Sequence, residues 1–203
     1  MATLKDIKGT NVQSIAGDPS NPVEGQIWYN SSARVLKGET ATTAGAWSTG
    51  GALNTARTNL AGSNSAGTQT AALAFGGDGG TTATEQYDGS SWTSKNSMNT
   101  GKNYVAGFGT ISAALAFGGE PPTTATEEYD GTNWATVNAM SVSRGQAAGA
   151  GTQTAGLAIS GETTGPTLST AAEEYDGTNW STGGTLSTGR RLISGLGTQT
   201  AAL

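Results

Sequence analysis

The chain of 203 residues contains no cysteine and no histidine. Without cysteine there is no disulfide, thiolate metal site, iron–sulfur cluster or sulfur nucleophile. Without histidine there is no imidazole base, no Ser-His-Asp triad and no ordinary transition-metal site. Charge is scarce as well: 12% of residues are charged, and the formal net charge is −5. The ten basic residues are spread along the chain and form no cluster, so nucleic acid is not an expected partner. No run approaches the roughly 20 apolar residues of a membrane-spanning helix. The opening MATLKDIKGTNVQSIAG lacks the apolar run of a secretory signal.

Small residues are abundant. Gly contributes 32 positions, and Thr and Ala contribute about 60 more. Disordered chains combine high charge with few aromatics. Here charge is low, and five Trp, five Tyr and three Phe recur in register. The composition reads as ordered and repetitive.

Tyr-Asp-Gly-x-x-Trp occurs three times, as Tyr87 to Trp92, Tyr129 to Trp134 and Tyr175 to Trp180, at spacings of 42 and 46 residues. GTQT or a relative begins at Gly67, Gly109, Gly151 and Gly197 and moves with it. The extra residues of the third copy fall in ETTGPTLST, which has the composition of a loop. After each GTxT comes an apolar run (AALAFGG, AALAFGG, AGLAISG), then a Thr/Pro/Gly loop, then EQYD or EEYD. Asp-Gly follows as a hairpin signal. Six residues beyond each Trp stands Met98, Met140 or Leu186, and ten beyond stands Lys102, Arg144 or Arg190. Trp47, Leu53 and Arg57 form an earlier half-copy. The division is a half-copy 47–66, copies 67–108, 109–150 and 151–196, and an incomplete copy 197–203.

Four short strands in about 42 residues, separated by Gly-rich turns, is the pattern of one propeller blade. In ALAF, Leu73 and Phe75 point one way and the alanines the other. The fold class expected is all-β: blade repeats after an N-terminal segment, 1–46, in which QIWYN, a polar turn and RVLKG form a β-hairpin. Trp47, Tyr87, Trp92, Tyr129, Trp134, Tyr175 and Trp180 are the expected repeat core.

The pattern resembles the kelch repeat, in which a diglycine, a Tyr, a Trp and a later Arg follow in order. Gly76-Gly77 and Gly118-Gly119 match the diglycine, Ser160-Gly161 matches half of it, and Arg57, Lys102, Arg144 and Arg190 match the base. The repeat of about 42 is shorter than the roughly 50 of kelch. Copper sugar oxidases on that fold need His and a Tyr-Cys cofactor, which this chain lacks. The segment P-x-x-G-x-I-W-Y-N, at Pro22 to Asn30, is similar to an element near the start of bacteriophage fibre and other virion proteins. The YDGTNW and STGGTLSTGR copies are similar to structural proteins of marine bacteriophages. The resemblance implies a non-enzymatic virion structural protein, a tail fibre or similar appendage. It would dock by its N-terminus, with Ile27, Trp28 and Tyr29 as docking candidates. Copies of itself, as a trimer, other virion proteins of tail, neck or capsid, and a host surface glycan or protein are the implied partners. A stand-alone kelch-like propeller that binds a protein or glycan is the alternative.

No catalytic, metal or cofactor residues are expected. Glu127/Glu128 and Glu173/Glu174 are adjacent in strands, so each pair splits across two faces and cannot flank one glycosidic bond. They are expected at solvated blade edges. Asp88, Asp130 and Asp176 lack the D-x-D-x-D-G spacing of a calcium loop and read as turn residues. The four bases are expected to pack along a Trp or to pair with an acid of the adjoining blade. The loops DGGTTAT, EPPTTAT and ETTGPTLST are where host recognition would be sought.

Overall fold

The structure, a computed structural model, describes residues 13–20, 27–38, 49–62, 67–165 and 167–202. Trp47 lies outside them. Met1–Ser48 and Thr49–Leu203 form two compact units. No α-helix occurs among the described residues. That follows from the density of Gly and β-branched Thr, both poor helix formers.

The first unit holds a three-stranded sheet of β1 (Gln13–Ile15), β2 (Ile27–Asn30) and β3 (Val35–Gly38). The β2–β3 pair is the antiparallel hairpin expected from IWYN and VLKG, with Tyr29 opposite Leu36. β1 adds to this hairpin by pairing in parallel with β2, beyond the hairpin that the sequence predicts. Its sequence, QSI, is too short to carry a periodicity.

Among the described residues, the second unit contains three four-stranded antiparallel sheets. The first is β4 (Ala61–Gly62), β5 (Ala72–Phe75), β6 (Thr84–Tyr87) and β7 (Trp92–Lys95). The second is β8 (Ala106–Thr110), β9 (Ala113–Phe117), β10 (Thr126–Tyr129) and β11 (Trp134–Val137). In the third, β12 (Ala148–Thr152) and β13 (Ala155–Ile159) are followed by a small hairpin, β14 (Glu162–Thr163) and β15 (Thr167–Leu168). β16 (Ala171–Tyr175) and β17 (Trp180–Thr185) complete that sheet, and β18 (Gly197–Thr198) pairs with β19 (Ala201–Ala202). The hairpin is the extra length of the third copy. Each sheet is a meander whose spatial order follows the chain. Each also straddles a GTxT boundary, because that tetrapeptide is the turn between a sheet's first two strands.

The turn before each Trp is set by Asp-Gly. Asp88, Asp130 and Asp176 accept backbone N–H bonds from the residues two and three ahead. Gly89, Gly131 and Gly177 take positive φ, which a Cβ would disfavour.

Alternation along the second strand gives each sheet one ridged and one flat face. Leu73 and Phe75 pack in one cluster with Ala114 and Ala116 of the next sheet. Leu115 and Phe117 pack likewise with Ala158. Large side chains of one sheet therefore sit on small ones of the next. At Gly156 the fit leaves no room for a side chain: a Cβ there would lie 2.0 Å from Phe108 Cζ.

A backbone ladder links successive sheets. Tyr104 N–H donates to Asn59 O at 3.1 Å, Gln146 N–H to Tyr104 O at 3.3 Å, and Leu192 N–H to Gln146 O at 3.0 Å. All four residues hold positive φ, between 49° and 54°. None is glycine, so the repeated contact holds each in a sparsely populated conformation.

Candidate functional site

The repeated chemistry of this chain lies between sheets, in a base with its backbone in one sheet and its side chain in the next. Arg144 O accepts Gly119 N–H at 3.0 Å, and Arg144 N–H donates to Thr123 O at 3.1 Å, both on the second sheet's connecting loop. Its guanidinium enters the third sheet. It donates to Ser160 O at 3.1 Å, Ala171 O at 2.9 Å and Glu173 Oε1 at 2.6 Å. Arg57 makes the same set in the first sheet, to Gly76 O, Ala83 O and Glu85 Oε1 at 2.8, 2.9 and 2.8 Å. Lys102 ties the first sheet to the second: its carbonyl accepts Gly77 N–H, and its Nζ lies 3.5 Å from Glu127 Oε1. Burial pushes the Lys102 ammonium below the usual lysine range, and Glu127 only partly opposes this. Arg190 keeps the backbone half of the pattern, through Ser160 Oγ and Gly161 N–H. Its side chain is exposed, with no ion pair among the described residues.

The glutamates depart from the expected solvated edges. Glu85, Glu127 and Glu173 are 2%, 1% and 1% exposed. Each accepts backbone N–H bonds besides facing its base: Asn54 to Glu85, Asn99 and Thr100 to Glu127, Ser141 and Val142 to Glu173. A buried carboxylate survives when charge and donors both meet it. The second acid of each pair behaves differently. Glu174 is exposed, and Glu128 accepts the Tyr175 hydroxyl at 2.8 Å. Burial first, then Glu128, raises the Tyr175 phenol above the ordinary tyrosine range.

The aromatic pairs sit at these seams. Tyr129, Trp134 and Tyr175 are buried, while Tyr87, Trp92 and Trp180 are half-buried. Each Trp lies 5.0–5.2 Å from its Tyr partner. Trp134 meets Phe75 of the preceding sheet edge-on at 5.0 Å and donates Nε1–H to Thr84 Oγ1 at 2.9 Å. Trp180 does the same with Phe117 and Thr126, at 5.5 and 3.1 Å. Trp92 donates to Gly51 O. Met98 and Met140 close the clusters beneath.

A further stitch comes from the GTQT turns. Gln153 Nε2 donates to Ala114 O and Tyr129 O of the preceding sheet, each at 3.0 Å. Gln199 donates likewise to Gly156 O and Tyr175 O. The constant place of glutamine in GTQT is the one sequence signal for this stitch. Ile111 takes the position in the second sheet and packs on the apolar cluster instead.

In the first unit, Asp18 gathers the hairpin. It accepts Trp28 Nε1–H at 3.1 Å and Asn30 Nδ2–H at 2.8 Å, and pairs with Lys37 at 2.6 Å. The Lys37 bond, then those from Asn30 and Trp28, hold its carboxyl down at about 2. Trp28 is turned inward at 4% exposure. Ile27 is exposed, Tyr29 is half-buried, and Leu36 opposite Tyr29 is 49% exposed. The three expected docking residues therefore split across two faces, and the Ile27/Tyr29 face is the one open to solvent.

No family model matches the chain, and no curated protein matches it. Among solved structures it is similar to the "Structure of YjhT", at 16% identity and a TM-score of 0.49. That likeness covers 57% of this chain and 42% of the other, so the chain spans under half of that protein's length.

Proposed function

We propose that this protein is a bacteriophage virion structural protein, a tail fibre or similar appendage, without enzymatic activity. The four-stranded sheets act in it as kelch-like propeller blades. The observation that carries the reading is the split of labour between the two units. The IWYN hairpin presents an apolar, solvent-open face of Ile27, Tyr29 and Leu36, suited to seating on another virion protein. The repeats commit Glu127 and Glu173, with Lys102 and Arg144, to ties between sheets, and Glu85 with Arg57 to a tie within the first. The surface they display is then set by loops, chiefly 78–83, 120–125 and 162–170. Repeat arrays suit binding of this kind because each unit stacks on its neighbour and exposes loops on one side. Association into a homotrimer, and contact with a host surface glycan or protein, belong to the same proposal.

The test is incorporation. Ile27→Asp with Leu36→Asp, and separately deletion of residues 1–46, are introduced into the source phage, and purified particles are probed for the protein. The proposal expects loss from particles while the repeats remain folded by circular dichroism. Undiminished incorporation of both variants rejects it.

A further inference from the structure

We infer that the array opens first at the seam between its first and second sheets. Three devices repeat at the seams, and all three are weakened at this one. The charged tie between the second and third sheets is Arg144, which makes three side-chain hydrogen bonds across the seam. At the first seam it is Lys102, whose buried Nζ faces Glu127 Oε1 at 3.5 Å but makes no hydrogen bond. Tyr175 anchors the second seam through its hydroxyl on Glu128. Its counterpart Tyr129 has a buried hydroxyl with no partner. Gln86 stands where Glu128 stands in the next sheet, opposite Leu73 as Glu128 is opposite Leu115. Gln153 stitches the third sheet to two carbonyls of the second. Ile111, at the same place, has no side-chain donor to offer the first.

Other contacts recur at both seams with local differences: Asn99 Nδ2 donates to Trp134 O at the first where Ser141 Oγ donates to Glu173 at the second. The Trp–Thr bonds and the edge-on Phe–Trp contacts recur. In the three devices the difference is polar and falls in one direction. A buried donor without an acceptor costs free energy in the closed state alone, because opening returns it to water. Local opening follows such local deficits. Separation here would carry away the first sheet and uncover Phe75 on one side and Tyr129 with Trp134 on the other.

Native-state hydrogen exchange on the intact 203-residue protein tests this, since the ladder places one reporter amide at each seam. Tyr104 N–H spans the first, with the neighbouring Asn103 Oδ1 as a second, local acceptor, and Gln146 N–H the second. After correction for intrinsic rates, Tyr104 is expected to exchange at least about tenfold faster than Gln146, the size of one charge-assisted hydrogen bond. The variant K102R/Q86E/I111Q is expected to close most of that gap. Equal protection of the two amides in the wild type, or better protection of Tyr104, overturns the inference. So does a folded triple variant that leaves the gap unchanged.

Discussion

Replacing Lys102 with arginine should stabilise the protein, against the usual direction of a core substitution. Lys102 is 3% exposed and stands where Arg57 and Arg144 stand in the neighbouring sheets. Those arginines each donate to two backbone carbonyls as well as to a glutamate. The equivalent carbonyls in the second sheet are those of Gly118 and Ala125. Hydrogen bonds to charged groups contribute about 1.5–3 kcal/mol each, so two at the low end give about 3. Fitting a larger side chain costs about 1 kcal/mol in a close-packed interior. The net is about 2 kcal/mol, which for a unit of this size raises Tm by roughly 4–8 °C. Reversible thermal unfolding at pH 7 measures it, with R144K as the reverse control expected to lose a similar amount. A K102R protein with unchanged or lower Tm would refute the reasoning. The pH dependence gives a second readout. The folded pKa of Lys102 lies below its unfolded value, so between the two the unfolded chain binds more protons and stability rises with pH. Tyr129 and Tyr175, raised by burial, act oppositely near the same pH. The difference between wild type and K102R cancels them: the advantage of K102R should shrink as pH climbs toward the ordinary lysine value of 10.5.

Three further outcomes are expected. Asp18 is held down at about 2, so its contribution to the hairpin is complete above about pH 4 and lost as pH falls toward 2. In D18N, the Trp28 fluorescence change over that window should disappear. G156A places a Cβ against the Phe108 ring and should cost about 1–3 kcal/mol in urea unfolding, although alanine is the better strand residue. W134A removes a buried ring and its bond to Thr84, and should cost about 3–5 kcal/mol by the same assay.

Much of the repeat was legible because its signals are local and repeated. Asp-Gly gave the turn before each Trp, and the Leu73/Phe75 alternation gave the face that packs on the next sheet. The ties were harder to read. A glutamate beside a second glutamate looks solvated in one dimension. Only register shows that Glu173 faces Arg144 while Glu174 faces water. The left-handed ladder at Asn59, Tyr104, Gln146 and Leu192 was invisible, since these four share no residue type and the backbone makes the contact. The hairpin was legible from IWYN, but the inward turn of Trp28 was not. It depends on Asp18, ten residues earlier and on no shared periodicity.

The central claim is that a base shared between successive sheets, paired with a buried glutamate, holds the array together. A double-mutant cycle at Arg144 and Glu173 tests it most directly, by urea unfolding of R144A, E173A and the double variant. Each single change strands a buried charge and should cost about 3–5 kcal/mol. The double variant should cost well under the sum, leaving a coupling of at least about 2 kcal/mol. Additive losses, or single losses below about 1 kcal/mol, would contradict the claim.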